Sequence, residues 1–183
     1  MRRAFEKEYD EEAYLFDVVG PRFRKKGELS AYDFFLIVRW KANRAISKVA
    51  ARLLREAGPD LEKAVSRLTR QISTGKNAQE RFLVLVRGWR FRLPMASAIL
   101  TVLYPGDFTV YDVRACDQVK GFHALSGRQN PDALWRGYLE FKAAVERATP
   151  AGLSLRDKDR FLWARSRRED LVASIRRRFG VVK

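Results

Sequence analysis

The segment LPMASAILTVLY, residues 93–104, constrains the fold of this chain more than any other. A helix formed by these residues has almost no polar face, so other elements must surround it. A second apolar segment, NAQERFLVLVRGW at 77–89, precedes it and connects to it through Gly88 to Leu93. The two segments together predict a pair of helices, the second of which lies at the centre of a helical core.

Helical periodicity extends over most of the remaining chain. Ser30 is predicted to cap a helix over 31–58, which is either continuous or kinked near Asn43, and Asp60 to cap a helix over 61–73. Further helices are predicted from about Asp112, over 132–148 and over 154–180. About seven helices with scarcely a strand predict an all-α protein. We expect a single domain over 1–183, with 1–29 as an N-terminal extension that packs on it or flanks it.

The charge of the chain indicates a polyanionic partner. Lys and Arg number 37 against 22 Asp and Glu, which gives a net charge of +15. Nucleic acid is the default partner, and an anionic membrane surface is the competitor. The apolar faces are committed to a core and no apolar run approaches the length of a membrane span, so we expect no membrane contact. The N-terminal segment lacks a secretory pattern, and we expect a cytoplasmic protein associated with the nucleoid through DNA.

Basic residues recur at helical spacing along 31–58. Lys41, Arg44, Lys48, Arg52 and Arg55 follow one another at intervals of three or four residues, which places them on one face of a continuous helix. A solvated helix face explains such a row equally well. Lys63, Arg67 and Arg70 form a second row. The residues predicted to bind DNA are Lys41, Arg44, Lys48, Arg52, Arg87, Arg90, Arg92 and Arg114.

The composition provides few residues that could bind a metal ion or a cofactor. Cys116 is the only cysteine and is expected to be a small buried residue. His123 is the only histidine and has no second ligand of the kind that a metal site needs. The chain also lacks a glycine-rich phosphate loop. We therefore expect no metal and no cofactor.

Asp112 is an isolated carboxylate among apolar neighbours. It follows the buried helix and the turn PGDFTV, and it precedes a predicted helix. The simplest interpretation is an N-cap, because Asp at a helix start accepts backbone N–H bonds and gains from the helix dipole. The alternative is a reactive carboxylate that the turn returns to DNA bound at the basic segment RGWRFR.

The stretch MASAILTVLYPGDFTVYDVRACDQV resembles the core of the helix-hairpin-helix DNA glycosylases of the endonuclease III and MutY type. In that superfamily a hairpin of the form Leu-Pro-Gly-Val-Gly leads into a small and apolar helix, which a catalytic Asp follows. Ala96 and Leu100 lie in the corresponding helix here, and Asp112 lies on the family's acid. The resemblance covers about a quarter of the chain, and it implies a helix-hairpin-helix glycosylase-like fold.

The resemblance implies hydrolysis of an N-glycosidic bond in DNA, as in base excision. The damaged or modified base would be flipped out of the duplex into a pocket. Asp112 would stabilise positive charge on the sugar and orient or deprotonate a water molecule. Tyr111, Trp40 and Trp163 are candidates for stacking on the base, although an aromatic residue at such a position is more often part of a core. The expected partner is double-stranded DNA, bound by a monomer.

The sequence departs from the family pattern in the hairpin. Arg90-Phe91-Arg92 replaces Gly-x-Gly, so either the two arginines contact phosphate through their side chains or the alignment is shifted. Pro94 falls where bifunctional members keep a Schiff-base lysine, which predicts a monofunctional enzyme. The four-cysteine cluster of endonuclease III is also absent, because the chain has a single cysteine. A non-catalytic helical DNA-binding protein is the alternative. An RNA-binding factor is a third possibility, distinguished by its relative affinity for A-form and B-form duplexes.

Overall fold

A computed structural model describes residues 9–180 of the chain. Within this range the secondary structure is entirely helical, with no strand, which confirms the predicted all-α class. The chain divides into two compact units, Met1–Asp107 and Phe108–Lys183, which are described in turn. That the two units form the single domain expected over 1–183 stays a prediction.

Unit 1 contains seven α-helices within the described residues. Their bounds are α1 Glu11–Tyr14, α2 Gly20–Lys26, α3 Ala31–Ala42, α4 Ile46–Ala57, α5 Leu61–Thr74, α6 Ala78–Leu83 and α7 Leu93–Leu103. Wider π-helical turns at Leu15–Val19 and Val84–Gly88 follow α1 and α6. Ser30 and Asp60 accept hydrogen bonds from the first turns of α3 and α5, at 3.1 and 3.0 Å, as expected of N-caps.

Helix α7 is the buried centre of unit 1, as its sequence predicts. Every residue from Ala96 to Leu103 is buried, and α7 packs against α2, α3 and α6. Gly20, at the start of α2, makes the closest approach, because a Cβ there would lie 2.5 Å from the backbone oxygen of Val102. The guanidinium of Arg24 donates to the backbone oxygen of Leu103 at 2.9 Å. This bond satisfies one of the carbonyl groups left unpaired at the C-terminus of α7.

Residues 11–26 are helical, although the sequence analysis assigned them only to an extension. The pair Gly20-Pro21 is typical of a break, since a proline ring clashes with the carbonyl four residues earlier in a regular helix. The π-helical turn widens the helix just before this pair, and the Gly20 N–H bonds to the Leu15 carbonyl. The helix therefore continues through Pro21. Leu15, Val19 and Phe23 are completely buried in unit 1.

The helix predicted over 31–58 is broken at the expected place. Ala42 has extended backbone, with φ −162° and ψ 90°, and a short 3₁₀ turn at Asn43–Ala45 connects α3 to α4. The kink near Asn43 is thereby confirmed. Because the extended residue interrupts the helical repeat, residues before and after it no longer share one helix face.

Unit 2 contains three α-helices within the described residues. They are α8 Val113–Val119, α9 Pro131–Arg147 and α10 Leu155–Phe179. The core is an aromatic cluster in which Tyr138 contacts Phe108, Trp135 and Phe141 at ring distances of 6.1, 5.9 and 6.3 Å. Both α8 and α9 pack against α10.

None of the helices within residues 9–180 combines the length and the apolar character that crossing a membrane requires.

Candidate nucleic-acid interface and catalytic carboxylate

Residues 87–92 form a short connection between the π-helical turn after α6 and the start of α7, which we call the cationic turn. Trp89 and Phe91 point into unit 1 and are each 4% exposed. Arg87, Arg90 and Arg92 are exposed. The alternation of buried aromatic and exposed arginine residues holds the turn on the core and presents its positive charges to solvent.

The backbone of the cationic turn is left-handed at Arg90, with φ 54°. This conformation favours glycine, and Arg90 occupies the first glycine position of the hairpin that the sequence resembles. The Trp89 N–H bonds to the Val84 carbonyl at 3.0 Å, and the Phe91 N–H bonds to the Leu85 carbonyl at 2.9 Å. These two bonds close the end of the preceding helix around the left-handed residue.

Two side chains from neighbouring helices support the turn. Arg52 of α4 donates to the backbone oxygen of Arg90, and its guanidinium lies 5.4 Å from the centre of the Phe91 ring. Gln71 of α5 accepts a hydrogen bond from the Trp89 indole at 2.7 Å. Burial lowers the pKa of Arg52, and the neighbouring positive charges of Arg55 and Arg92 lower it further. Arg52, which the sequence predicted as a phosphate contact, therefore has a structural role in holding the turn.

The continuous basic row predicted from Lys41 to Arg55 is wrong as a single face. Lys48, Arg52 and Arg55 do lie along one side of α4, at spacings of four and three residues. Lys41, however, belongs to α3, and Arg44 lies in the 3₁₀ turn beyond the extended Ala42. The row that approaches the cationic turn is therefore the one on α4.

The exposed cations differ in whether they already have partners. Arg90, Arg92, Arg44 and Lys48 are exposed and form no ion pair with a carboxylate in the described part of the chain. Arg55 lies 3.8 Å from Glu56, and Arg87 and Lys41 have interactions of their own. Among the residues predicted to bind DNA, Arg90, Arg92, Arg44 and Lys48 are thus available to an external anion.

The start of α7 offers few backbone donors. Pro94 has no N–H, and the N–H groups of Met95 and Ala96 both bond to the Arg92 carbonyl, at 3.1 and 3.0 Å. A phosphate at this turn would therefore meet the side chains of Arg90 and Arg92 rather than a row of free backbone N–H groups.

Asp112 is the N-cap of α8, which confirms its simplest interpretation. Its side chain accepts a hydrogen bond from the Ala115 N–H at 2.9 Å, and its backbone is extended, with φ −149° and ψ 172°. The side chain is half-buried. The catalytic role of Asp112 stays a prediction.

The segment that leads to Asp112 is held by buried hydroxyl groups. Tyr138 of α9 accepts from the Thr109 N–H at 2.9 Å and donates to the Thr109 carbonyl at 2.7 Å. Burial raises the pKa of Tyr138 far above its ordinary value, so the hydroxyl remains protonated. The Tyr111 hydroxyl donates to the Phe122 carbonyl at 2.6 Å. Residues 109–111 are thus fixed without belonging to a sheet.

Replacing Tyr138 by phenylalanine should destabilise the protein by about 2–4 kcal/mol, because it leaves the buried N–H and carbonyl of Thr109 without their partner. Urea denaturation of the full chain measures the loss. Tyr9→Phe is the matched control, since Tyr9 is 95% exposed and should show almost no change. Equal stability of the Tyr138→Phe and Tyr9→Phe variants would contradict this role of the hydroxyl.

Arg114, another predicted DNA contact, is engaged within unit 2. Its guanidinium forms an ion pair with Asp170 at 2.6 Å and donates to the Ser166 hydroxyl at 3.3 Å. It also lies 5.8 Å from the centre of the Trp163 ring. These contacts join α8 to α10 and leave Arg114 with a partly neutralised charge.

The three aromatic residues suggested for base stacking have different surroundings. Tyr111 is 4% exposed and packs edge-on against Phe141, with ring centres 5.1 Å apart. Trp163 is 41% exposed, but the guanidinium groups of Arg114 and Arg167 lie near its ring, at 5.8 and 5.3 Å. Trp40 is half-buried in unit 1, with Phe16 edge-on at 5.8 Å. Tyr111 is therefore a core residue of unit 2, as the simpler interpretation of its aromatic ring expects.

The single histidine and cysteine are placed separately from any cluster of ligands. His123 is exposed and lies 3.1 Å from Asp117, while Cys116 is buried and reduced. Within residues 9–180, no group of three or more His, Cys, Asp or Glu side chains is arranged to hold a metal ion.

Comparisons of the chain with protein-family models, with curated proteins and with solved structures found no match. The resemblance to the helix-hairpin-helix glycosylases therefore rests on the residues of this chain alone.

Proposed function

We propose that the protein binds double-stranded DNA through the cationic turn and Lys48 of α4. The observation that carries this proposal is the turn itself, in which buried Trp89 and Phe91 alternate with exposed Arg90 and Arg92. The two arginines lack carboxylate partners among the described residues, and the chain has a net charge of +15. Unpaired arginine side chains on a rigid support are well suited to phosphate, which they bind in a bidentate manner.

We further propose that the protein is a monofunctional DNA glycosylase in which Asp112 is the catalytic carboxylate. The target nucleotide is flipped out of the duplex before reaction. The bond from C1′ of the sugar to the base breaks, and a bond from C1′ to a water oxygen forms. The ionised carboxylate stabilises the positive charge on the sugar and orients the water, whose proton passes to the departing base.

The sequence order around α7 supports this assignment. The cationic turn directly precedes α7, and Asp112 follows the end of α7 by nine residues. A left-handed residue at the hairpin, a buried apolar helix and then an acid at the start of the next helix form the pattern expected of the helix-hairpin-helix glycosylases.

A non-catalytic DNA-binding protein is the second candidate, and the cap at Asp112 favours it. The hydrogen bond from the Ala115 N–H gives this carboxylate a structural purpose without any reaction. Such a protein would bind the same DNA and release no base.

Incubation of the full chain with duplexes that carry different damaged or modified bases distinguishes the two candidates. A glycosylase leaves abasic sites, which alkali converts into strand breaks. Release of a base from one or more duplexes supports the enzyme. Salt-dependent binding without release from any duplex supports the non-catalytic protein.

We expect strand breaks to form only after alkali treatment and borohydride to trap no covalent complex with DNA. The reason is that Pro94 stands where a Schiff-base lysine would be needed, and proline has no amine to form one. A bifunctional glycosylase is the positive control. A borohydride-trapped complex of this chain would show that another amine acts as a nucleophile and would contradict the monofunctional assignment.

A further inference from the structure

A second basic site lies in unit 1, in an open groove between α5 and the segment that joins α2 to α3. The groove has a volume of about 820 Å³. Its lining includes five cations, two from α2 and three from α5, and three carboxylates. The cations are Arg22, Lys26, Lys63, Arg67 and Arg70. We call this site the α5 groove.

The three carboxylates of the α5 groove are engaged by the protein itself. Asp33 is 2% exposed and pairs with Arg22 at 2.7 Å. Glu28 accepts from the Ser66 hydroxyl at 2.6 Å and from Arg70 at 2.7 Å, and these hydrogen bonds lower the pKa of its carboxyl. Glu62 accepts from the Ala31 N–H at 2.9 Å, at the start of α3, where the helix dipole favours negative charge.

Two of the remaining cations in the groove face solvent without an ion pair. Lys26 and Arg67 are exposed, and neither forms an ion pair with a carboxylate in the part of the chain that the structure describes. Lys63, in the first turn of α5, forms an ion pair with Asp60 at 3.4 Å, although its side chain is 85% exposed. The groove therefore presents positive charge that an anionic ligand could neutralise.

The α5 groove adjoins the cationic turn. Gln71 lines the groove, and its side-chain oxygen accepts the hydrogen bond from the Trp89 indole at 2.7 Å. Lys63 and Arg70, the outermost of the groove's cations on α5, are separated along the helix by roughly 10 Å, at about 1.5 Å per residue. Cations spread over such a length suit a row of phosphates better than a single one, since phosphates of one strand follow one another at roughly 3.4 Å along the duplex axis.

We propose that the α5 groove binds the sugar-phosphate backbone of DNA beyond the segment held by the cationic turn. The inference rests on the proposed DNA binding and extends its footprint along α5. Lys26 and Arg67 each neutralise one phosphate, and Arg22 and Arg70, held by their carboxylates, keep the groove in shape.

The test compares duplex affinity over a range of salt concentrations and duplex lengths. Lys26→Glu/Arg67→Glu is the groove variant, and its control is Arg136→Glu/Arg147→Glu, which makes the same change in net charge at exposed positions of α9. The salt slope is the magnitude of the slope of log affinity against log salt concentration. For long duplexes we expect the groove variant to lose roughly 60-fold in affinity at 0.1 M salt, and its salt slope to fall by about 1.8, or about 0.9 per phosphate. A duplex too short to reach beyond the turn should show little difference, and the control should keep the parent's slope.

Three outcomes would overturn the inference. The first is an unchanged salt slope in the groove variant together with a reduced slope in an Arg90→Glu/Arg92→Glu variant. This result would show that DNA contacts the cationic turn and not the α5 groove. The second is an equal loss of affinity by the groove variant for short and long duplexes. This result would show that the groove contacts the same phosphates as the turn and does not extend the footprint. If the parent chain does not bind duplex DNA at all, the proposed function fails and the inference fails with it.

The milder Lys26→Gln/Arg67→Gln variant should show a smaller loss of affinity, and an unchanged melting temperature confirms that both variants are folded.

Discussion

Replacement of Asp112 by asparagine should reduce base release about 100-fold or more, while the melting temperature and DNA affinity stay near those of the parent chain. Asparagine caps helices nearly as well as aspartate, so the hydrogen bond to the Ala115 N–H is retained. The substitution removes only the negative charge. A loss of about 3 kcal/mol of transition-state stabilisation corresponds to a decrease of roughly two orders of magnitude.

Single-turnover base release, measured with saturating protein, isolates this effect from binding. Asp117→Asn is the matched control, because Asp117 is an exposed carboxylate later in the same helix. Full activity of the Asp112→Asn variant would make Asp112 a cap without a role in the reaction. Asp112→Ala removes the cap as well, so it should lower the melting temperature in addition to the rate.

The Arg90→Glu/Arg92→Glu variant is expected to lose duplex affinity on the order of 60-fold at 0.1 M salt. Each arginine that no longer contacts phosphate lowers the salt slope by about 0.9, and the new carboxylates add repulsion. Both side chains are exposed and unpaired among the described residues, so the fold should be retained. Titration of a labelled duplex over a range of salt concentrations gives the slope, with Arg136→Glu/Arg147→Glu as the control of equal charge. An unchanged slope would remove the cationic turn from the DNA interface.

A single glycine substitution separates side-chain contact from backbone contact at the same turn. Arg90→Gly suits the left-handed backbone at this position, with φ 54°, and should leave the fold at least as stable. If the Arg90 side chain contacts phosphate, this variant binds DNA more weakly although its turn is intact. If the backbone N–H groups make the contact, as the glycines of the resembled hairpin would allow, affinity is retained or improved.

Several features of unit 1 could be predicted because they depend on neighbouring residues. The apolar run over 93–104 leaves no face for solvent, and α7 is indeed the buried centre. Ser30 and Asp60 precede periodic segments, and both cap helices. The segment 11–26 could not be predicted as helix, since its Gly20-Pro21 pair is typical of a break and only the wider turn before it allows the helix to continue.

The sequence predicted which types of residue form the candidate DNA interface, but only part of their arrangement in space. Arg90 and Arg92 are exposed at a turn, as expected. The row from Lys41 to Arg55 assumed a continuous helix, and one extended residue, Ala42, was enough to separate its members. Gln71 and Tyr138 were missed because nothing near them in the sequence indicates the partners that they bind.

Local sequence patterns were enough to predict the helical class, the buried position of α7, the caps at Ser30, Asp60 and Asp112, and the excess of positive charge. These properties follow from spacing, capping and composition, which act between residues a few positions apart. The tertiary structure decided which cations remain available to a ligand. Arg52 is bound to the Arg90 carbonyl, 38 residues away, and Arg114 to Asp170, 56 residues away. The α5 groove likewise depends on the packing of α3 against α5, which brings residues of α2, α3 and α5 to one lining. Packing between distant segments assigns each charged side chain its partner, and no local pattern of residues encodes that choice.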